Sequence, residues 1–262
     1  MNLNIKQEDN FKYIELGDEN NKEPLVLLHG LMGGLSNFED IIEHFSKFYR
    51  VIAPTLPIYD APLSETSLDG MLKYLSDFMA FKNLGKVHLL GNSLGGHIAL
   101  MFTLKYQEKV ASLTLTGSSG LYENAMGNSF PKRGDRDFIK NKAEVTFYDS
   151  AMATTEVVDE LYKIINDRSK ALHIIMMSKS AVRNNLRDEL HKIYIPVLLI
   201  WGRQDNITPP FVAEQFNGLI KSSKLVWIDK CGHAPMMEHP ETFNTILETF
   251  LNEITATYSF SK

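Results

Sequence analysis

Short apolar runs alternate along this chain with segments whose apolar residues recur at helical spacing, and few folds satisfy that alternation. Leu25–His29, Arg50–Ala53, Val87–Leu90, Val110–Thr116, Ile195–Trp201 and Lys224–Ile228 read as buried strands. Between them lie helical patterns. Ser36 or Asn37 is placed to cap one with an apolar face of Phe38, Ile41, Ile42 and Phe45. Ser67 is placed to cap a second, with Leu68, Met71, Leu72, Leu75, Phe78 and Met79 at helical spacing. Others follow at Ile98–Tyr106, around Phe211–Leu219, and from Pro240 through Phe243, Ile246, Leu247, Phe250 and Leu251. Phe11–Leu16 reads as an early strand, in a hairpin with Leu3–Ile5, and Thr255–Lys262 as a frayed end. The expected class is α/β: a mostly parallel β-sheet flanked by helices.

One block breaks the rhythm. Residues 121–190 carry helical patterns at Val157–Ile165 and Ala171–Met177 and no convincing strand. The expected organisation is therefore a core from 1–120 and 191–262, with 121–190 as an inserted helical cap. A chain of 262 residues suits one sizeable domain with such an insertion. The single Cys excludes an internal disulfide and a four-cysteine zinc site. The net charge of −5 argues against a nucleic-acid surface, and it belongs to the core, because basic and acidic residues balance within 121–190. Met1–Glu19 lacks the apolar stretch of a signal peptide, and no run approaches the ~18 apolar residues of a membrane span. The expectation is a cytoplasmic protein acting on a small molecule, with no nucleic-acid or membrane partner; oligomeric state is not legible.

The chemistry concentrates in three short strings. Gly91-Asn92-Ser93-Leu94-Gly95-Gly96 follows a strand and precedes a helix. A nucleophilic serine on so sharp a turn needs small neighbours, which Gly91 and Gly95 supply. A lone G-x-S-x-G is a common accident; its place between strand and helix favours catalysis. A serine hydroxyl needs a base, and His233, in Lys230-Cys231-Gly232-His233-Ala234-Pro235, follows a strand at the same sheet edge. Asp205, in Trp201-Gly202-Arg203-Gln204-Asp205, also follows a buried strand and is placed to orient an imidazole, although an Asp in such a turn is more often a turn residue.

Ser93, Asp205 and His233, in that order after successive strands, resemble the triad of the α/β-hydrolase fold family. His29-Gly30-Leu31 is similar to the family's oxyanion-hole turn. The resemblance runs from about Leu25 to Leu251. It implies oxyanion donors at the backbone N–H groups of Leu31 and Leu94. It also implies a cap over the sheet edge, closing a small-molecule acyl pocket with no cofactor and no metal. Met32, Asn37, Asn92 and Met236 are the expected pocket residues. Met126, Met152, Met176, Met177 and Met237 are candidates for which core filling is the better reading, and Cys231 reads as a small residue beside the histidine.

Within the family the chain looks like the meta-cleavage-product C–C hydrolases and related carboxylesterases, through Gly91-Asn92-Ser93, Ser36-Asn37-Phe38 and Cys231-Gly232-His233 with Glu238-His239. Two departures count against C–C cleavage. That branch has Trp after the histidine, where Ala234 stands, and Arg in a Glu-Arg-Tyr string, where Glu160-Leu161-Tyr162 stands. Leu cannot replace a bidentate Arg–carboxylate contact, and nothing in the sequence demands that Arg183 or Arg187 substitute for it in space. Dehalogenases and epoxide hydrolases carry Asp at the Ser93 position. The resemblance thus implies a serine hydrolase of small or medium carboxylic esters. Alternatives are a C–C hydrolase, a cofactor-free haloperoxidase or acyltransferase, and a non-catalytic ligand receptor on the same fold.

Overall fold

The computed structural model describes residues 4–20, 23–123 and 133–259. Its eight strands are β1 (Lys6–Glu8), β2 (Phe11–Leu16), β3 (Leu25–Leu28), β4 (Val51–Pro54), β5 (Val87–Asn92), β6 (Val110–Thr116), β7 (Val197–Gly202) and β8 (Ser223–Ile228). They form one sheet in the order β1-β2-β4-β3-β5-β6-β7-β8. The β1–β2 and β2–β4 pairs are antiparallel and all others parallel. The described helices are α1 (Glu39–Phe45), α2 (Leu68–Phe81), α3 (Leu94–Lys105), α4 (Arg136–Glu144), α5 (Thr155–Asn166), α6 (Arg168–Arg183), α7 (Pro210–Leu219), α8 (Pro235–Glu238) and α9 (Pro240–Ser259).

Strand periodicity of two splits the core cleanly. Val26 and Leu28 of β3, with Val197, Leu199 and Trp201 of β7, pack against α2, α3 and α7. The intervening Leu25, Leu27, Leu198 and Ile200 pack against α1 and α9 on the other face. Burial on both faces is why these strands read as unbroken apolar runs. Helix starts follow local chemistry as well. The Ser67 hydroxyl accepts from Gly70 N–H at 3.0 Å, and all six expected apolar residues of α2 are buried.

Several expectations shift. The hairpin partner of β2 is Lys6–Glu8, not Leu3–Ile5; Leu3 lies outside the described residues. Neither Ser36 nor Asn37 caps α1, because a 3₁₀ turn over Leu35–Phe38 comes first and Phe38 stands at the cap. The last helix continues through Thr255, whose hydroxyl donates to Leu251 O at 3.0 Å, to Ser259; residues 260–262 lie outside the described residues.

Between β6 and β7, α4, α5 and α6 belong to both cores. Ala143, Phe147 and Val158 join the α1–α9 side, while Met177 and Ala181 of α6 join the α2–α3 side. Leu68 N–H donates to the Ser180 hydroxyl at 2.9 Å, and Thr66 Oγ1 lies 2.8 Å from His173 Nδ1, so α6 is tied to the start of α2.

Candidate active site

The turn from β5 into α3 is held under backbone strain. Ser93 sits at φ 54°, ψ −119°, a region L residues avoid. Its carbonyl accepts from the N–H groups of Gly96 (3.0 Å), His97 (3.2 Å) and Ser119 (3.1 Å), which over-determine the conformation. The glycines are sterically required. A Cβ on Gly95 would stand 2.0 Å from Leu28 O, and one on Gly91 2.5 Å from Gly95 O. The crossing of α3 over the end of β3 therefore depends on both, and it brings Gly30 against the nucleophile turn.

Asp205 and His233 meet at the same edge. Asp205 Oδ2 accepts from His233 Nδ1 at 2.9 Å, and both residues are buried. The Asp205 carboxylate is held by three further donors: Ile207 N–H (2.8 Å) and Thr208 N–H (2.9 Å) on Oδ1, and the Thr208 hydroxyl (2.8 Å) on Oδ2. Trp201 Nε1 donates to Thr208 O at 2.8 Å, anchoring that turn to the buried end of β7. The β7 and β8 loops interlock, with Gln204 N–H donating to Cys231 O at 2.9 Å and Cys231 N–H to Gln204 Oε1 at 3.0 Å. Burial and the nearby charges of Glu238 and Asp205 push the Cys231 thiol well above its usual range, which leaves it unreactive.

The Gly30 turn is set by His29 within the motif and by Tyr59 outside it. Buried His29 donates from Nδ1 to Gly30 O (2.9 Å) and accepts Leu56 N–H on Nε2 (3.0 Å), which fixes a neutral tautomer; burial also lowers its pKa. The Tyr59 hydroxyl donates to Leu31 O at 2.8 Å. Leu94 begins α3, so its N–H belongs to the helix turn that lacks intrahelical acceptors. Glu238 carries the loop before His233. Its Oε1 accepts Gly232 N–H (2.8 Å) and its Oε2 accepts Tyr148 N–H (2.7 Å), while His233 N–H donates to Thr146 O (2.8 Å). Thr208, Tyr59 and Glu238 were not singled out as site residues from the sequence. Tyr59 and Glu238 reach Leu31 and Tyr148, 28 and 90 residues away, while Thr208 reaches Asp205 three residues back in a turn whose side-chain directions the sequence does not give.

Two cavities open at Ser93. The first, about 310 Å³, is lined by Ser93, His233, Leu31, Met32, Asn37, Asn92, Leu161, Ala234 and Met237 among others. The second, about 440 Å³, shares Ser93, Leu31 and Ile207 with it and adds Leu94, Ser119, Glu123, Lys179 and Arg183. Asn92 spends its amide NH₂ on Thr116 O (3.1 Å) and His233 O (3.3 Å), tying the histidine loop to β6. Met236 is a correction. It is 1% exposed in the α1–α9 core, and the turn of α8 presents its neighbour Met237 to the cavity instead. Met177 is core, Met152 packs against the core, and Met126 lies outside the described residues.

A buried polar cluster lies along the second cavity. His97 Nε2 donates to Asn184 O (2.8 Å), so its Nδ1 accepts from the Ser119 hydroxyl (3.3 Å). Glu123 Oε1 accepts Gly120 N–H (2.6 Å) and lies 3.7 Å from His97 Nδ1. Burial lowers the His97 pKa to about 4 and raises that of Glu123 to about 7.

A family model described as the alpha/beta hydrolase fold matches residues 23–147 and 133–240. Among solved structures, an alpha/beta hydrolase enzyme from a lagoon-sediment metagenome (Mar Chica, Morocco) is 43% identical at a TM-score of 0.78, over 95% of this chain and 98% of that one. A 2-hydroxy-6-oxononadienedioate/2-hydroxy-6-oxononatrienedioate hydrolase of Comamonas testosteroni is 28% identical over 95% of this chain and 94% of its own length. Monoacylglycerol lipase ABHD6 of Bos taurus is 24% identical over 98% and 84%. Among the described residues no helix is long and apolar enough to cross a membrane.

Proposed function

Since the chain is a hydrolase belonging to the alpha/beta hydrolase fold family, we propose that it cleaves small or medium carboxylic esters through an acyl-enzyme on Ser93. His233 takes the Ser93 proton as the hydroxyl oxygen attacks the ester carbonyl, and the N–H groups of Leu31 and Leu94 hold the oxyanion. The C–O bond to the alcohol then breaks and His233 returns the proton to the leaving oxygen. Water, deprotonated by His233, attacks the acyl-enzyme and releases the acid and Ser93. Asp205 keeps the proton on His233 Nδ1 and stabilises the imidazolium. Residues 133–190 act as the cap, walling the first cavity through α4 and α5 and the second through α6.

The observation that carries this reading is the wall of the first cavity. Ser93 and His233 share it with Leu161 and Ala234, the positions at which C–C hydrolases resembling this chain carry Arg and Trp. A fluorophosphonate probe is expected to label Ser93 in folded protein and to leave Ser93→Ala unlabelled. Absence of labelling sinks the mechanism.

C–C hydrolysis is the second reading, favoured by the likeness to the Comamonas enzyme and by Lys142, a cation that lines the same cavity. Side-by-side kinetics on p-nitrophenyl esters and on a 2-hydroxy-6-oxo-dienoate, followed by loss of its dienolate absorbance, decide between them. Faster turnover of the dienoate reverses the assignment.

A further inference from the structure

The two cavities at Ser93 differ in charge. Among the described residues, the first carries one cation, Lys142, and one carboxylate, Glu160. The second carries two cations, Lys179 and Arg183, and one carboxylate, Glu123. The cations stand four residues apart on α6, so their side chains leave one helix face from Cβ atoms about 6 Å apart. Both are exposed, and among the described residues neither pairs with a carboxylate. Elsewhere in the segment Arg136 pairs with Asp159, Lys140 with Glu144 and Lys192 with Glu189. Burial raises the Glu123 pKa to about 7; Glu123 faces His97 of α3 and shares the cavity with the two α6 cations, so the cavity is net cationic with Glu123 ionised and more so below that pH.

The position of His233 says which half of an ester lies where. It lines the first cavity and not the second. The leaving oxygen must receive its proton from His233, so the alcohol departs on the first-cavity side. The acyl chain, bonded to Ser93, extends into the second. We infer that this second cavity is a subsite for acyl chains that end in an anion, so that the preferred substrates are monoesters of dicarboxylic acids whose free carboxylate pairs with Lys179 and Arg183. The inference rests on the ester reading above and moves anion recognition to the side of the nucleophile opposite Leu161.

The test compares mono-p-nitrophenyl adipate with p-nitrophenyl hexanoate. The ratio of kcat/KM, charged over neutral, is expected to fall about tenfold in the Lys179→Ala/Arg183→Ala double variant, as for two partly solvated ion pairs. Arg183→Glu is expected to lower it further, and raised salt to lower it in the parent enzyme. The hexanoate rate in each preparation normalises for folded enzyme. An unchanged ratio overturns the subsite. A second arm reads binding without turnover, titrating monomethyl adipate into Ser93→Ala protein with and without the two cations. Cation-dependent binding, when the parent enzyme with Ser93 intact hydrolyses neither ester, overturns the ester reading alone. Equal binding with and without the cations overturns the subsite.

Discussion

The sheet edge and the helical segment between β6 and β7 are built by different means. At the sheet edge, backbone against backbone sets the geometry: Gly95 under Leu28 O, Gly202 under Gly232 O, and Ser93 held at positive φ by three N–H donors. Few residue types fit such places, so the sequence is constrained there. In α4–α6 the defining contacts are side-chain ones, namely Asp135, Thr154 and Asp167 caps, surface ion pairs, and a wall of Leu161, Val157, Ile165 and Phe138. Many residue sets would serve equally. On the proposed function, chemistry is written in the rigid half and substrate choice in the permissive one.

The strongest way to sharpen this contrast is Ser93→Ala, expected to lower ester turnover by at least ~10³-fold with the fold intact, read by steady-state kinetics beside a thermal melt. Gly95→Ala attacks the backbone crossing itself and is expected to cost about 3 kcal/mol, because the neighbouring atoms are main chain and cannot step aside; urea denaturation measures it. Glu15→Gln probes rigidity far from the site. Burial alone would raise the pKa of this carboxylate, 4% exposed, but Lys82 and Arg50 outweigh it and hold it at about 2, with Lys6 also in range. A depressed carboxylate contributes stability that is complete above its unfolded pKa and is lost as pH falls through the folded one. The loss in Glu15→Gln is thus about 3 kcal/mol at pH 7 and vanishes between about pH 4 and 2, by urea midpoints across that range. Thr208→Val removes one donor from Asp205 and is expected to lower kcat about tenfold with KM unchanged. Smallest in stability is Leu161→Arg, within about 0.5 kcal/mol, which alters substrate preference in the same kinetic screen. A large stability loss there would break the contrast.

The same division explains what was legible beforehand. β6 was expected at Val110–Thr116 and is found there, because seven apolar or small residues bounded by turns leave one solution. The strand–turn–helix setting of Ser93 and the sheet-edge positions of Asp205 and His233 were legible because each follows a buried run. α4 was not foreseen: it buries only Ile139 and Ala143, too few to show a period. The expectation of Met236 in the pocket fails because the direction of a four-residue helix cannot be read from a pair of methionines. The tethers of Tyr59 to Leu31 and of Glu238 to Tyr148 join residues distant in the chain and leave no local mark.

Glu238 has a mechanical consequence. It holds the turn before His233 and the chain after α4 on its two oxygens, and the Thr146 carbonyl takes the His233 N–H beside it. The far end of the same segment is fastened to the start of α2 through Ser180 and His173. A covering fixed at both ends does not swing on one hinge. The near fastening lies on the turn that carries the His233 imidazole, so the covering and that side chain share one support.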